Sequence, residues 1–225
     1  MRDALRDEFE TKDWSGRKVE SRSGSGSTLE ATEALRAALP DLLKRYKVKR
    51  FLDAPCGDWF WMQHTKLGRT HYTGGDISAE VIEAVRAEHG RKNREFVHLD
   101  ITSDPLPDAD MMMCRDCLFH LKWWLRWKFF ENFAQSGISF LLTSMHHGTW
   151  NKRLRKNGDF APFNPCAAPF NFPEPLETIA ETGEIDLSPE VLETSRGRRQ
   201  RSMGLWSRAQ VIEAVERHHA SQEAP

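Results

Sequence analysis

The sequence predicts an α/β fold: a doubly wound, mostly parallel sheet with an antiparallel C-terminal hairpin. Three observations predict it. Short apolar runs alternate with helical patterns at a spacing that suits parallel strands joined by crossover helices. The stretch "RFLDAPCGDWFWMQ", residues 50–63, is a buried strand running straight into a tight turn. Three acids, Asp53, Asp76 and Asp100, close three consecutive strands. Right-handed crossovers carry all such strand ends to one rim, where open α/β sheets bind ligands.

The elements follow in order. Residues 1–26 are polar and rich in Gly, Ser and Arg, ending in "ESRSGSGST" territory, and read as a flexible N-terminal segment or lid. Residues 27–225 then form a single domain. Ser27 and Glu30 fit a capping box that opens a helix. Leu29, Leu35, Leu39, Leu42 and Leu43 roughly follow its helical stripe, with a break or restart at Pro40. "RFLDA" is the first strand and "HYTGGDIS" the second. Ser78 caps a helix that stops near Gly90. "EFVHLDI" and "DMMMC" are the third and fourth strands. Residues 119–136 form an aromatic helix stopped by Gly137, and "ISFLLTS" is the fifth strand.

Residues 151–187 break the alternation. "NGDFAPFNPCAAPFNFPEPLE" holds five prolines and four phenylalanines, which forbids a regular helix. It reads as an ordered Pro/Phe-rich substrate loop over the rim. Residues 190–206 suit a hairpin around "RGRR". Ser207 and Gln210 cap a last helix reaching about His218.

Composition sets outer bounds. The chain has 225 residues, 39% hydrophobic and 29% charged, an ordinary globular balance. A formal net charge of −1 gives no global drive toward nucleic acid or an anionic membrane. No apolar run is long enough to span a bilayer. The charged start, "MRDALRDEFETKDW", lacks a secretory apolar segment, and four cysteines do not make a disulfide scaffold. The expected location is cytoplasmic.

A strand, tight turn and helix present backbone N–H groups to a ligand, and Gly57 allows close approach. Asp76, closing the next strand, is placed to accept hydrogen bonds from ribose hydroxyls. The dinucleotide fingerprint G-x-G-x-x-G is absent, which disfavours a nicotinamide oxidoreductase. A cofactor with a nucleoside and no phosphate fits a one-glycine turn better.

With these motifs in place the chain resembles a class I S-adenosylmethionine-dependent methyltransferase. "DAPCGDW" is similar to that family's first motif, "YTGGDIS" to the second and "VHLDIT" to the third. "DADMMMCRDCLFHL" and "GISFLLTS" are similar to the fourth and fifth, so the resemblance covers roughly residues 48–145. It implies a Rossmann-like methyltransferase fold with S-adenosyl-L-methionine as cofactor. It implies cofactor contacts at Asp53, Ala54, Cys56 and Gly57, at Asp76 and Ile77 for the ribose, and at Asp100 and Ile101 for the adenine. Arg115 would join them at the end of the fourth strand. Trp59 stands where the family often has glycine; it either packs on the methionine part of the cofactor or belongs to the core.

"CRDCLFH", residues 114–120, has C-x-x-C-x-x-H spacing. Cys114 closes a buried strand and a fourth zinc ligand is lacking, so no metal is expected. Asp116 and His120 instead leave the fourth strand toward the pocket and are the candidate catalytic pair, orienting or deprotonating an acceptor. His146 and His147 are further candidates. Basic clusters at "NKRLRK" and "RGRRQR" suit either a solvated surface or an anionic substrate. The expected reaction is methyl transfer to an oxygen or nitrogen of a small-molecule, sugar-containing or peptide acceptor. The alternatives are an RNA methyltransferase and a non-catalytic methyltransferase-like binding module.

Overall fold

The computed structural model describes residues 9, 20–181, 183–194 and 199–223. The core of the fold is one seven-stranded sheet with the order β3-β2-β1-β4-β5-β7-β6. The strands are β1 (Arg50–Asp53), β2 (His71–Asp76), β3 (Arg94–His98), β4 (Met111–Cys114), β5 (Phe140–His146), β6 (Glu177–Ala180) and β7 (Arg201–Ser207). The first five are parallel to one another. β7 runs antiparallel to both β5 and β6. The chain winds from β1 outward through β2 and β3, then returns to lay β4 on the other side of β1. That reversal between β1 and β4 is the topological switch point.

The helices that flank the sheet include α1 (Glu33–Arg45), α2 (Ala79–His89), α3 (Trp123–Gln135), the short α4 (Pro189–Leu192) and α5 (Arg208–Glu223). The two-residue period of the strands sorts their side chains between two cores. Phe51, Met111 and Met113 face Leu35, Leu39 and Leu42 of α1, with Ile82 and Val85 of α2 in the same cluster. Leu52, Met112 and Leu141 face Leu125, Phe129, Phe130 and Phe133 of α3 and Val211 and Ala214 of α5. Each such fully buried side chain contributes roughly 2 kcal/mol.

Ser78 caps α2 as expected, accepting the Val81 N–H, and Gly90 follows its last turn. Ser207 and Gln210 form a reciprocal capping box at the start of α5: Ser207 Oγ accepts the Gln210 N–H, and Gln210 Oε1 accepts the Ser207 N–H.

Four details differ from the sequence expectations. α1 begins at Glu33 rather than Ser27, because Thr28 Oγ1 accepts the Ala31 N–H and turns the chain first. Pro40 does not interrupt α1, which buries its leucine stripe on both sides of that residue. The antiparallel C-terminal pair is β6 with β7, so residues 177–180 of the anticipated substrate loop are strand, and 20 residues separate the two strands rather than a tight turn. Most of "RGRR" lies outside the described residues, as do residues 1–8 and 10–19 of the N-terminal segment. α5 also runs past His218 to Glu223.

Much of the Pro/Phe-rich segment is packing. Phe163, Phe170 and Phe172 are buried against α3 and Trp206, and Phe170 stacks on Trp127. Asn151 fastens the segment: its Nδ2 donates to the carbonyls of Asn164 and Ala168, and its Oδ1 accepts the Asn164 N–H. Phe160 alone among these phenylalanines is half exposed.

Candidate active site at the switch point

The turn after β1 is held from both neighbouring strands. The Ala54 N–H donates to Met113 O at 2.9 Å and the Cys56 N–H to Gly75 O at 2.8 Å. Gly57 adopts a φ of 54°, a left-handed conformation that costs most other residues free energy. Its N–H donates to Asp76 Oδ2 at 3.1 Å. Asp76 Oδ1 accepts the Ser78 N–H at 3.0 Å, so one carboxylate ties the turn after β1 to the start of α2. Burial raises the Asp76 pKa, opposed by these N–H groups. Ile77 lies beside it, half-buried, with its carbonyl accepting from His98 Nε2.

Asp53 is buried beneath the turn and accepts the Tyr72 hydroxyl at 2.7 Å. Desolvation pushes its pKa up to about 7 against that hydrogen bond and the attraction of Arg115. Cys56 is buried and its thiol pKa is raised by desolvation and the neighbouring acids. Asp100 is turned inward: Oδ1 accepts the N–H and hydroxyl of Thr102. Ile101 follows it, buried, its carbonyl accepting from Asn132. Trp59 sits in the core, edge-on to Tyr72 and Phe96 with the Arg94 guanidinium 4.1 Å from the ring centre.

The N-terminal segment crosses this turn as a strap. Ser21 and Ser23 donate to the Asp58 carboxylate, and Ser23 Oγ accepts the Asp58 N–H. A Cβ on Gly57 would lie 2.2 Å from Ser23 Oγ, and one on Gly26 would lie 2.2 Å from Asp116 Oδ2. Both glycines are therefore close-contact positions where strap and rim meet.

Beyond β4 four charged groups close into a ring. Arg115 Nε meets Glu181 Oε1 at 2.8 Å, and Glu181 Oε2 meets Arg201 Nε at 3.0 Å. Arg201 Nη1 meets Asp116 Oδ1 at 3.0 Å, and Asp116 Oδ2 meets Arg115 Nη1 at 3.3 Å. Arg115 Nη2 also donates to the Gly26 carbonyl at 2.8 Å, fastening the strap. Asp116 holds a φ of 52°, its N–H donating to Ser144 Oγ. Burial would raise its pKa, but the two guanidinium groups outweigh that and hold it below the ordinary carboxylate value.

Beside the ring a cleft of about 440 Å³ opens between strap and sheet. Gly26, His146, Phe160, Arg199 and Arg201 contribute to its walls. His146 closes β5, and its Nδ1 accepts the Phe163 N–H at 3.2 Å, which puts the proton of the neutral imidazole on Nε2. Burial, with Arg201 nearby, pushes its pKa down to about 4. His120 Nδ1 lies 2.9 Å from the Asp159 carbonyl, so Nδ1 donates and Nε2 is the accepting nitrogen. Among the described residues no cluster of His, Cys, Asp and Glu is suited to a metal ion, and none of the helices is long and apolar enough to cross a membrane.

The sequence reading missed the partners of Arg115 and Asp116. Glu181 and Arg201 come from β6's end and β7's start and carry no local pattern. The basic run ending at Arg201 was the one signal pointing here. His147 turns aside to Ser202 Oγ.

Residues 52–136 match the family model described as a methyltransferase domain. No curated protein matches the chain. Among solved structures, one similar fold is the 1,6-didemethyltoxoflavin-N1-methyltransferase of Burkholderia thailandensis, with bound 1,6-didemethyltoxoflavin and S-adenosylhomocysteine. It has a TM-score of 0.59 and 16% identity over 91% of this chain and 87% of that one. The N-methyltransferase NodS of Bradyrhizobium japonicum WM9, in complex with S-adenosyl-L-homocysteine, gives 0.57 at 12% identity over 92% and 97%. The methyltransferase domain of bacterial CtHen1-C gives 0.57 at 15% identity over 79% and 98%. Residues 52–136 thus match a methyltransferase domain, and the fold of the chain is the one these S-adenosylmethionine-dependent methyltransferases share. The turn at Gly57 lies between strands β1 and β2, which end in Asp53 and Asp76, and its glycine leaves room only for Ser23 of the strap.

Proposed function

We propose that the enzyme transfers a methyl group from S-adenosylmethionine to an oxygen or nitrogen of a small-molecule, sugar-containing or peptide acceptor held in the cleft. The observation that carries this is the position of the cleft. It opens against Gly26 of the strap and against Arg201, whose guanidinium is paired with Asp116 behind the wall.

In this reading the backbone of Ala54, Cys56 and Gly57 receives the amino-acid end of the cofactor. Asp53 supplies negative potential beneath it. Asp76 and Ile77 receive the ribose, and Asp100 and Ile101 border the adenine. Arg115 holds the strap through the Gly26 carbonyl, so the described part of the N-terminal segment acts as a lid that excludes water. When bound, the cofactor supplies an electrophilic methyl on a sulfonium. The residues around the cleft would then have to orient the acceptor and take the proton it releases.

Asp116, kept ionised by two arginines, orients the acceptor by accepting a hydrogen bond from it. His120 takes the proton at Nε2, the nitrogen opposite its bond to Asp159. General-base help of this kind is worth roughly 10²- to 10⁴-fold. Residues 163–172 of the Pro/Phe-rich segment brace the pocket while Phe160 borders it. A cytoplasmic location goes with this reading, in keeping with four free cysteines.

The test is methyl transfer from isotopically labelled S-adenosylmethionine to a panel of phenols, amines, sugars and peptides. Labelled product that falls at least about tenfold in His120→Ala supports the assignment. Transfer unaffected by that substitution refutes the role of His120.

A further inference from the structure

The walls of the cleft carry an unbalanced charge. Arg201 is neutralised by Asp116 and Glu181, and the four-membered ring as a whole sums to zero. Neither acid lines the cleft, and the Glu181 side chain has no exposed surface. Arg199 is different. It is exposed, lines the same cleft, and makes no ion pair or hydrogen bond among the described residues. The remaining lining residues, Ser25, Gly26, Ala31, His146 and Phe160, bring no carboxylate. His146 stays neutral at physiological pH and presents an N–H. Among the described residues the lining of the cleft therefore carries net positive charge, which favours an anionic occupant.

Phe160 adds a second requirement. Its ring is 50% exposed at the cleft, although the phenylalanines at 163, 170 and 172 are all buried. It is held edge-on by Phe119 at 5.4 Å and by His146 at 5.7 Å, so its position is fixed rather than loose. An immobilised, half-exposed aromatic face beside guanidinium groups suits a flat ring that stacks while its acid group pairs with arginine.

We propose that the acceptor is a small planar aromatic acid, with its carboxylate on Arg199 and Arg201 and its ring against Phe160. This rests on the methyltransferase reading above and specifies the substrate class of the same site.

The test uses the full chain saturated with S-adenosylhomocysteine and titrated calorimetrically with benzoate and, as an uncharged match, benzamide. Binding of S-adenosylhomocysteine is measured first. Its absence removes the methyltransferase reading and this inference together. With it bound, benzoate is expected to bind about tenfold more tightly than benzamide. Arg199→Gln should abolish that preference while leaving benzamide affinity unchanged, and Phe160→Ala should weaken both ligands several-fold. Equal affinities, no benzoate binding, or a preference that survives Arg199→Gln overturns the inference and leaves the methyltransferase reading standing.

Discussion

The Asp76 carboxylate accepts the Gly57 N–H at 3.1 Å, joining the end of β2 to the turn that follows β1. The same side chain accepts the Ser78 N–H. Loop, strand end and helix start are thus fixed by one group whose position is set by the sheet register, and the candidate cofactor site does not depend on a flexible side chain. The predictions below probe this joint and the groups around it.

Gly57→Ala is expected to destabilise the fold by about 1–2 kcal/mol, because the left-handed backbone disfavours a Cβ. The added methyl also displaces Ser23, so the strap should become more accessible to protease around residues 21–27. Denaturant unfolding and limited proteolysis read the two effects. Wild-type stability with an unchanged cleavage rate would contradict the contact.

The ring of Arg115, Asp116, Arg201 and Glu181 behaves as a unit. Removing one buried partner leaves its arginines only partly compensated, so Asp116→Asn and Glu181→Gln should each cost about 3–5 kcal/mol. The double variant should cost more than the sum, because each single variant leaves one acid on each arginine and the double leaves both arginines bare. Additive losses in urea unfolding would show that the four groups act separately.

Asp53 and His146 give stability opposite pH dependences. Asp53 is raised to about 7 in the folded state. The unfolded carboxyl loses its proton first, so stability falls as pH rises from about 4 to about 7, by up to about 4 kcal/mol. His146 is lowered to about 4. The unfolded imidazole gains its proton first, so stability falls as pH drops from about 6.5 to about 4, by up to about 3 kcal/mol. In wild type the two largely cancel. Asp53→Asn, which keeps an acceptor for the Tyr72 hydroxyl, should uncover a stability that climbs steeply between pH 4 and 6.5. NMR should show the His146 ring neutral at pH 6. A protonated His146 at that pH rules out the assigned tautomer.

Trp59→Ala should cost about 3–5 kcal/mol, the usual penalty for emptying a large core site. The indole packs on Tyr72, Phe96 and His89 within the sheet–helix core. A variant of near wild-type stability would place the indole in the cofactor pocket instead.

The sheet was legible because its strands are short and mostly buried, with β1 and β2 ending in acids and Asp100 two residues past the end of β3. β1 to β5 and the caps at Ser78 and Ser207 follow from local chemistry, which sequence displays directly. The charged ring was not legible. Glu181 reaches Arg115 across 66 residues of chain and Arg201 reaches Asp116 across 85, and only the antiparallel pairing of β6 with β7 brings them there. Pro40 misled for a related reason. Packing of Leu35, Leu39, Leu42 and Leu43 holds α1 together against the local penalty of a proline. The Phe-rich segment carried a double meaning that composition cannot separate, since one of its rings borders the cleft and three others fill the core.

The most direct test is calorimetric titration of S-adenosylmethionine into the wild-type chain and into Asp76→Ala, with circular dichroism to verify that both are folded. Saturable binding to wild type and a loss of at least about tenfold in the variant are predicted, as expected for removing a charged hydrogen-bond acceptor from a ribose site. A folded wild type that does not bind, or a variant that binds equally well, would contradict the cofactor site described here.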